Sequence, residues 1–177
     1  MVISFIGFMG CGKSSVGRKL SELLCWPFVD LDAAIEEISG LTIPEIFASE
    51  GEAGFRNAEL ETLRGMLPPT YPNMILSLGG GTVMTPQCAE IIKNETCCIY
   101  LRTSVDTLVE RLADEAAGRP LLSGTQNDES AESALHSRIE TLMAKRASTY
   151  EATATHIIDT DGLSVETIAK HLVHMLK

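Results

Sequence analysis

Basic residues are scarce in this chain of 177 residues: 14 Lys and Arg stand against 24 Asp and Glu, a formal net charge of −10 at pH 7. No Lys/Arg run concentrates that small positive complement, so a phosphate backbone or an anionic lipid surface would be repelled. Neither nucleic acid nor a membrane is an expected partner. Long apolar runs are missing too, and the apolar start Val2–Met9 has neither the positive n-region nor the length of a signal peptide. The protein is expected to stay where it is made, in the cytoplasm. Paired-cysteine and zinc spacings are lacking: the five cysteines are odd in number, include the vicinal Cys97 and Cys98, and show no C-x-x-C. A disulfide scaffold is thereby excluded, and a reducing compartment fits. There is no internal repeat and no linker. With 45% hydrophobic and 21% charged residues, disorder is excluded as a main theme.

What the chain does have is the length for one domain with a sizeable core. Five short β-branched or aromatic runs recur, Val2–Ile6, Phe28–Asp30, Met74–Leu78, Cys97–Leu101 and His156–Asp159, with helically spaced segments between them. That alternation predicts an α/β fold with a five-stranded parallel sheet flanked by helices. The strands are nearly continuous apolar runs, as expected where helices cover both faces. Thr42 with Glu45 three residues on reads as a capping box, Pro86 after Thr85 as a first helical residue, and Ser164 as the start of the last helix. Two stretches exceed what the alternation needs. Leu31–Asn73 is longer than one crossover helix, so something extra sits on the sheet there. Asp114–Asn127, around Arg119-Pro120, reads as a mobile loop of the kind that forms lids.

The sharpest chemical signal is Gly7-Phe8-Met9-Gly10-Cys11-Gly12-Lys13-Ser14, a full match to G-x-x-x-x-G-K-S/T between a predicted strand and the predicted helix Lys13–Leu24. Glycines there let backbone N–H groups wrap a polyphosphate at a helix N-terminus. Lys13 would then reach the β- and γ-phosphates and the Ser14 hydroxyl would bind Mg²⁺. Cys11, inside the cradle beside Lys13, is either a reactive thiol or an inert small residue. Asp30 and Asp32, spaced i, i+2 at the end of the second strand, put two carboxylates on one face at the ligand-binding edge. Asp32 is alternatively the cap of a helix starting at Ala33. Gly79-Gly80-Gly81 implies close approach of a ligand to backbone more than a plain turn does. Arg56 with Glu59 three residues on would, taken alone, be a solvated helix pair. His171 and His174 share a helix face without further ligands for a metal, and Cys97 and Cys98 read as packing.

Taken in order, the P-loop, Phe28-Val29-Asp30-Leu31-Asp32, Gly51-Glu52 followed by Phe55-Arg56 and Glu59, Gly79-Gly80-Gly81-Thr82 and Arg119-Pro120-Leu121-Leu122 resemble the shikimate kinase family over essentially the whole chain. The resemblance implies a single kinase domain, 1–177, on a P-loop core of the nucleoside-monophosphate-kinase type, with a helical substrate-binding insertion at 31–66 and a lid at 113–127. It implies ATP and Mg²⁺ as cofactors, shikimate as the small-molecule substrate, shikimate 3-phosphate and ADP as products, and a monomer. Gly10, Cys11, Gly12, Lys13, Ser14, Ser15, Arg111 and Arg119 match its nucleotide positions, and Ser14 and Asp30 its metal positions. Asp32, Arg56, Gly79, Gly80, Gly81 and Arg146 match its substrate positions. Lys13, Asp32 and Arg119 are the catalytic set, with Asp32 as base. The adenine contacts fall at Arg111 and Asp159-Thr160-Asp161. After Arg146 the chain reads Ala147-Ser148-Thr149-Tyr150 where the family usually shows Pro-Leu-Tyr one residue on, and Arg138 is the competing carboxylate partner. Two other functions fit the residues: a P-loop kinase for another hydroxy-acid such as gluconate, or a nucleotide-binding regulator without turnover.

Overall fold

The computed structural model describes residues 1–67, 73–113 and 128–176, with backbone alone for 128–132. Its five strands are β1 (Val2–Ile6), β2 (Phe28–Asp30), β3 (Met74–Ser77), β4 (Cys97–Arg102) and β5 (His156–Asp159). They form one sheet in the order β2-β3-β1-β4-β5, and every pairing is parallel. The helices are α1 (Lys13–Leu24), α2 (Leu31–Ser39), α3 (Ile43–Met66), α4 (Pro86–Glu95), α5 (Val105–Leu112), α6 (Asp128–Thr153) and α7 (Val165–Met175). The strand runs expected from the sequence thus pair as one parallel sheet, with ends displaced by one residue at β3 and β4.

Period-two alternation of side chains divides the core into two. Val2 and Ile6 of β1, Met74 and Leu76 of β3, and Cys98 and Tyr100 of β4 pack on one face with α2, α3, α4 and Tyr150 of α6. Ile3, Phe5, Ile75, Ile99 and Leu101 pack on the other with α1, α5, α7 and the start of the described α6 side chains. Both faces are covered, which is why the strands carry apolar residues at consecutive positions.

Local chemistry sets the element ends. Thr42 and Glu45 form the reciprocal capping box that opens α3: the Thr42 N–H donates to Glu45 Oε2 at 2.8 Å, and the Glu45 N–H to Thr42 Oγ1 at 3.4 Å. Pro86 occupies the first turn of α4, and Ser164 caps α7. The long stretch after β2 is occupied by α2 and α3, and α3 is broken at Gly51, whose φ of 71° a side chain would strain. β2 ends at Asp30, as its run predicts, but the expectation that Asp32 also lies at the strand end changes, because α2 begins at Leu31. Asp30 is the helix cap, its Oδ1 accepting from the Asp32 N–H at 3.2 Å, so Asp32 lies in the first helical turn and caps nothing. The Asp114–Asn127 segment, with Arg119, lies outside the described residues.

The architecture ranks core substitutions. Ile99, fully buried in β4, should cost about 2–5 kcal/mol on truncation to Ala. Ile157 of the edge strand β5, 40% exposed, should cost less than about 1 kcal/mol. Urea unfolding of both variants at unchanged m checks the order.

Candidate active site

The parallel order puts the C-terminal ends of β1, β2 and β3 side by side, the edge where open α/β sheets bind ligands. The β1 end runs into the P-loop and then α1. The N-cap of α1 is Gly12 at φ 98°, a conformation that favours glycine, and it supplies no side-chain acceptor. The first N–H groups of α1 are therefore without a side-chain cap, the arrangement that suits an anionic ligand. Lys13 is buried, its Nζ donating to the Gly7 carbonyl at 2.9 Å and the Phe8 carbonyl at 3.0 Å, with Cys11 Sγ at 3.9 Å. Cys11 is 2% exposed and packs with Phe8 and Val16. Its side chain is core, which favours the inert reading of this thiol.

Register brings the metal-type oxygens together. Asp30 pairs with Ser77 across β2 and β3, and Ser14 Oγ donates to Asp30 Oδ2 at 2.9 Å and lies 3.2 Å from Ser77 Oγ. Hard oxygen donors of this kind suit Mg²⁺, which usually takes one or two carboxylates and completes its shell with water and phosphate. Among the described residues no group of three or more His, Cys, Asp or Glu could hold a metal alone; that includes His171 and His174.

Asp32 sits in the first turn of α2, two residues beyond Asp30. Burial pushes its carboxyl up from 3.8 to about 6, and the charges of Asp30 and Glu59 push it the same way, while Lys13 opposes them. Across the site, Arg56 Nη1 donates to Glu59 Oε2 at 2.8 Å. Glu59 is only 1% exposed, so this pair is buried at its acidic end and is no solvated surface bridge. Glu59 Oε1 in turn accepts from Thr82 Oγ1 at 2.6 Å.

The glycine turn separates and joins these groups. A Cβ on Gly79 would lie 3.0 Å from Asp32 Oδ1, and one on Gly81 would lie 2.8 Å from Arg56 Nη2. The Gly80 carbonyl accepts from Arg146 Nη1 at 3.3 Å and from the buried Tyr150 hydroxyl. Arg146 also lies over the Phe8 ring, 5.8 Å from its centroid. Arg138 is exposed and lines a separate hollow with Ser137, Thr141 and Leu142, so of the two arginines it is Arg146 that reaches the glycines.

A cavity of about 730 Å³ joins the P-loop, Ser15, Asp30, Asp32, Gly79 and Gly80 to a second wall. That wall holds Arg111, whose Nη1 donates to the Gly10 carbonyl at 3.3 Å, and Thr160, Leu163, Ser164, Val165 and Ile168. Arg111 and Thr160 are expected there from the sequence, whereas Leu163 and Val165 are not. Both are large, apolar and exposed, Leu163 at 43%, on the approach to an amphipathic helix whose pattern accounts for them as packing. Arg56 and Arg146 approach the same glycine turn but are not among the residues that line this cavity.

The shikimate kinase family model matches residues 9–177. The chain belongs to the shikimate kinase family. A shikimate kinase from Thermus thermophilus is 37% identical over 174 residues, 98% of this chain and 89% of the relative. That from Thioalkalivibrio sulfidiphilus is 39% identical over 170 residues, covering 96% and 84%. Among solved structures, shikimate kinase from Acinetobacter baumannii in complex with shikimate superposes with a TM-score of 0.84 at 32% identity, covering 99% of this chain and 92% of the other. The Bacteroides thetaiotaomicron enzyme gives 0.88 at 30% identity, covering 99% and 98%. Membership of this family makes the chain an ATP-dependent small-molecule kinase with a nucleoside-monophosphate-kinase-type P-loop fold, and a gluconate kinase or a silent regulator is not favoured. No helix among the described residues is long and apolar enough to cross a membrane.

The raised Asp32 carboxyl has a cost that can be measured. A folded pKa above the unfolded one leaves the stability of the neutral form intact at low pH and removes it as pH rises through about 6. Asp32→Asn should therefore stabilise the nucleotide-free protein by about 1–2 kcal/mol at pH 8. The gain should shrink as pH falls from 6 toward 4. Urea melts of both proteins across that range check the sign.

Proposed function

We propose that the chain transfers the γ-phosphoryl group of ATP to a ring hydroxyl of shikimate, within a single domain and with one chain supplying the site. The observation that carries this reading is the approach of Arg56 to Gly81 and of Arg146 to the Gly80 carbonyl, on a glycine turn that also borders Asp32 and the phosphate cradle. Two guanidiniums at that place suit a carboxylate, and a carboxyl base beside a P-loop suits an alcohol. A small carboxylated polyol satisfies both.

In this reading the backbone of Gly10–Ser15 holds the polyphosphate, and Lys13, fixed by the Gly7 and Phe8 carbonyls, meets its β- and γ-oxygens. Ser14 and Asp30 would hold Mg²⁺, and the ion, when bound, would neutralise charge on the phosphates. Arg111, Thr160, Leu163 and Val165 border the base of the nucleotide. Arg56 and Arg146 clamp the shikimate carboxylate while Asp32 binds the diol. As the hydroxyl oxygen bonds to phosphorus and the bond to the β-phosphate oxygen breaks, Asp32 takes the hydroxyl proton. With a carboxyl near 6 it is ionised at neutral pH yet basic enough to accept. The transition state is loose, so positioning and charge neutralisation carry most of the rate. Residues 31–66 form the substrate-binding insertion.

ATP turnover with and without shikimate, run beside gluconate, tests the reading: ADP release should depend on shikimate and not on gluconate. Asp32→Asn should keep ATP binding and lose at least about 100-fold in kcat; near wild-type turnover would remove it from the mechanism. Arg56→Lys and Arg146→Lys should each raise the shikimate KM by about ten-fold or more with little change for ATP, because a point ammonium cannot make the planar two-oxygen contact. Arg138→Lys should change neither constant.

A further inference from the structure

We propose that Thr82 is a positioning residue for substrate recognition: its hydroxyl fixes the Glu59 carboxylate, and through it the Arg56 guanidinium that meets the shikimate carboxylate. The inference rests on the reading of Arg56 as a carboxylate clamp. Thr82 follows the glycine turn and opens the short 3-10 turn Thr82–Met84. Its own N–H is committed to the Gly79 carbonyl at 3.2 Å, and the residue is fully buried, so it has a fixed place.

The two oxygens of Glu59 are used by different partners. Oε2 accepts from Arg56 Nη1 at 2.8 Å, and Oε1 accepts from Thr82 Oγ1 at 2.6 Å. The other acid on Arg56 is Glu52, 3.6 Å from Nη2 and 74% exposed, which water screens. The buried end of the clamp is therefore Glu59, and Thr82 fixes which way Glu59 faces. A carboxylate taken out of water needs its acceptor sites filled. Without the hydroxyl, Oε1 would face a methyl group. Glu59 would then turn toward another donor, and that loosens Arg56. Gly79 allows this arrangement, since a Cβ there would lie 3.1 Å from Thr82 Oγ1 and 3.5 Å from Glu59 Oε1. Thr82 thus ties the position of the clamp to the glycine turn that borders Asp32, setting the distance between the carboxylate end and the reacting end of the substrate.

Steady-state kinetics of Thr82→Val, Thr82→Ser and Thr82→Ala test the link. Thr82→Val should raise the shikimate KM by about five- to twenty-fold and leave the ATP KM within about two-fold. Thr82→Ser, which keeps the hydroxyl, should restore the shikimate KM; Thr82→Ala should not, and this pair decides the matter if the valine variant fails to fold. With shikimate methyl ester, which has no carboxylate, wild type and Thr82→Val should differ by less than about two-fold. Equal shikimate KM values for the serine and alanine variants, a parallel rise in both KM values, or an undiminished penalty on the ester would each overturn the proposal. Arg56→Lys measured alongside separates the two layers. If it raises the shikimate KM while Thr82→Val does not, the link fails and the clamp stands. If neither does, the clamp reading itself fails.

Discussion

Three consecutive residues without side chains, Gly79, Gly80 and Gly81, are the constraint on which the site is assembled. Asp32 approaches the turn from α2, Arg56 from α3, the P-loop backbone from the end of β1, and Arg146 and Tyr150 from α6. The neighbours differ in kind. Gly80 faces backbone, with Met9 N 3.3 Å from where a Cβ would stand, whereas Gly79 and Gly81 face the tips of functional side chains. Parallel pairing of β3 between β2 and β1 delivers the turn to this spot. The sheet's order is thus the remote cause of the site, and the missing Cβ atoms are the proximate one.

The same convergence gathers charge. Burial first, and then the charges of Asp30, Glu59 and Glu36 against that of Lys13, push the Asp32 carboxyl up to about 6. An empty site of this composition is destabilised relative to a neutral one, which is the usual relation between a binding site and the stability of its fold. Cationic partners relieve it: Arg56 on Glu59 already does so from one side, and the metal proposed at Ser14 and Asp30 would from the other. Electrostatic preorganisation of this kind is what phosphoryl transfer asks of a protein, since little covalent chemistry is left for side chains to do.

Local signals in the sequence were enough for the elements. The strands, the capping box at Thr42 and Glu45, the prolyl start of α4 and the P-loop each depend on residues a few positions apart, and each is where its pattern places it. Boundaries decided by competition were harder to read. Asp32 reads in the sequence as a strand-end residue or as a helix cap, and it is neither, because Asp30 caps α2. Arg138 and Arg146 lie on one helix, so no periodicity separates them; contact with the Gly80 carbonyl across the fold does. Thr82 and Glu59 are far apart in sequence and meet only through the packing of α3 against the glycine turn. Leu163 and Val165 were hidden because an amphipathic pattern explains them equally well as core.

Room at Gly81 must be kept for the Arg56 guanidinium. Its backbone, at φ −111° and ψ −6°, accepts an L side chain, and the atom a methyl would meet is the end of a long, flexible one. Gly81→Ala should therefore fold with stability within about 1 kcal/mol of wild type while raising the shikimate KM at least about ten-fold and leaving the ATP KM within about two-fold. A stable Gly81→Ala protein with an unchanged shikimate KM would contradict the claim that the carboxylate clamp is built against this turn.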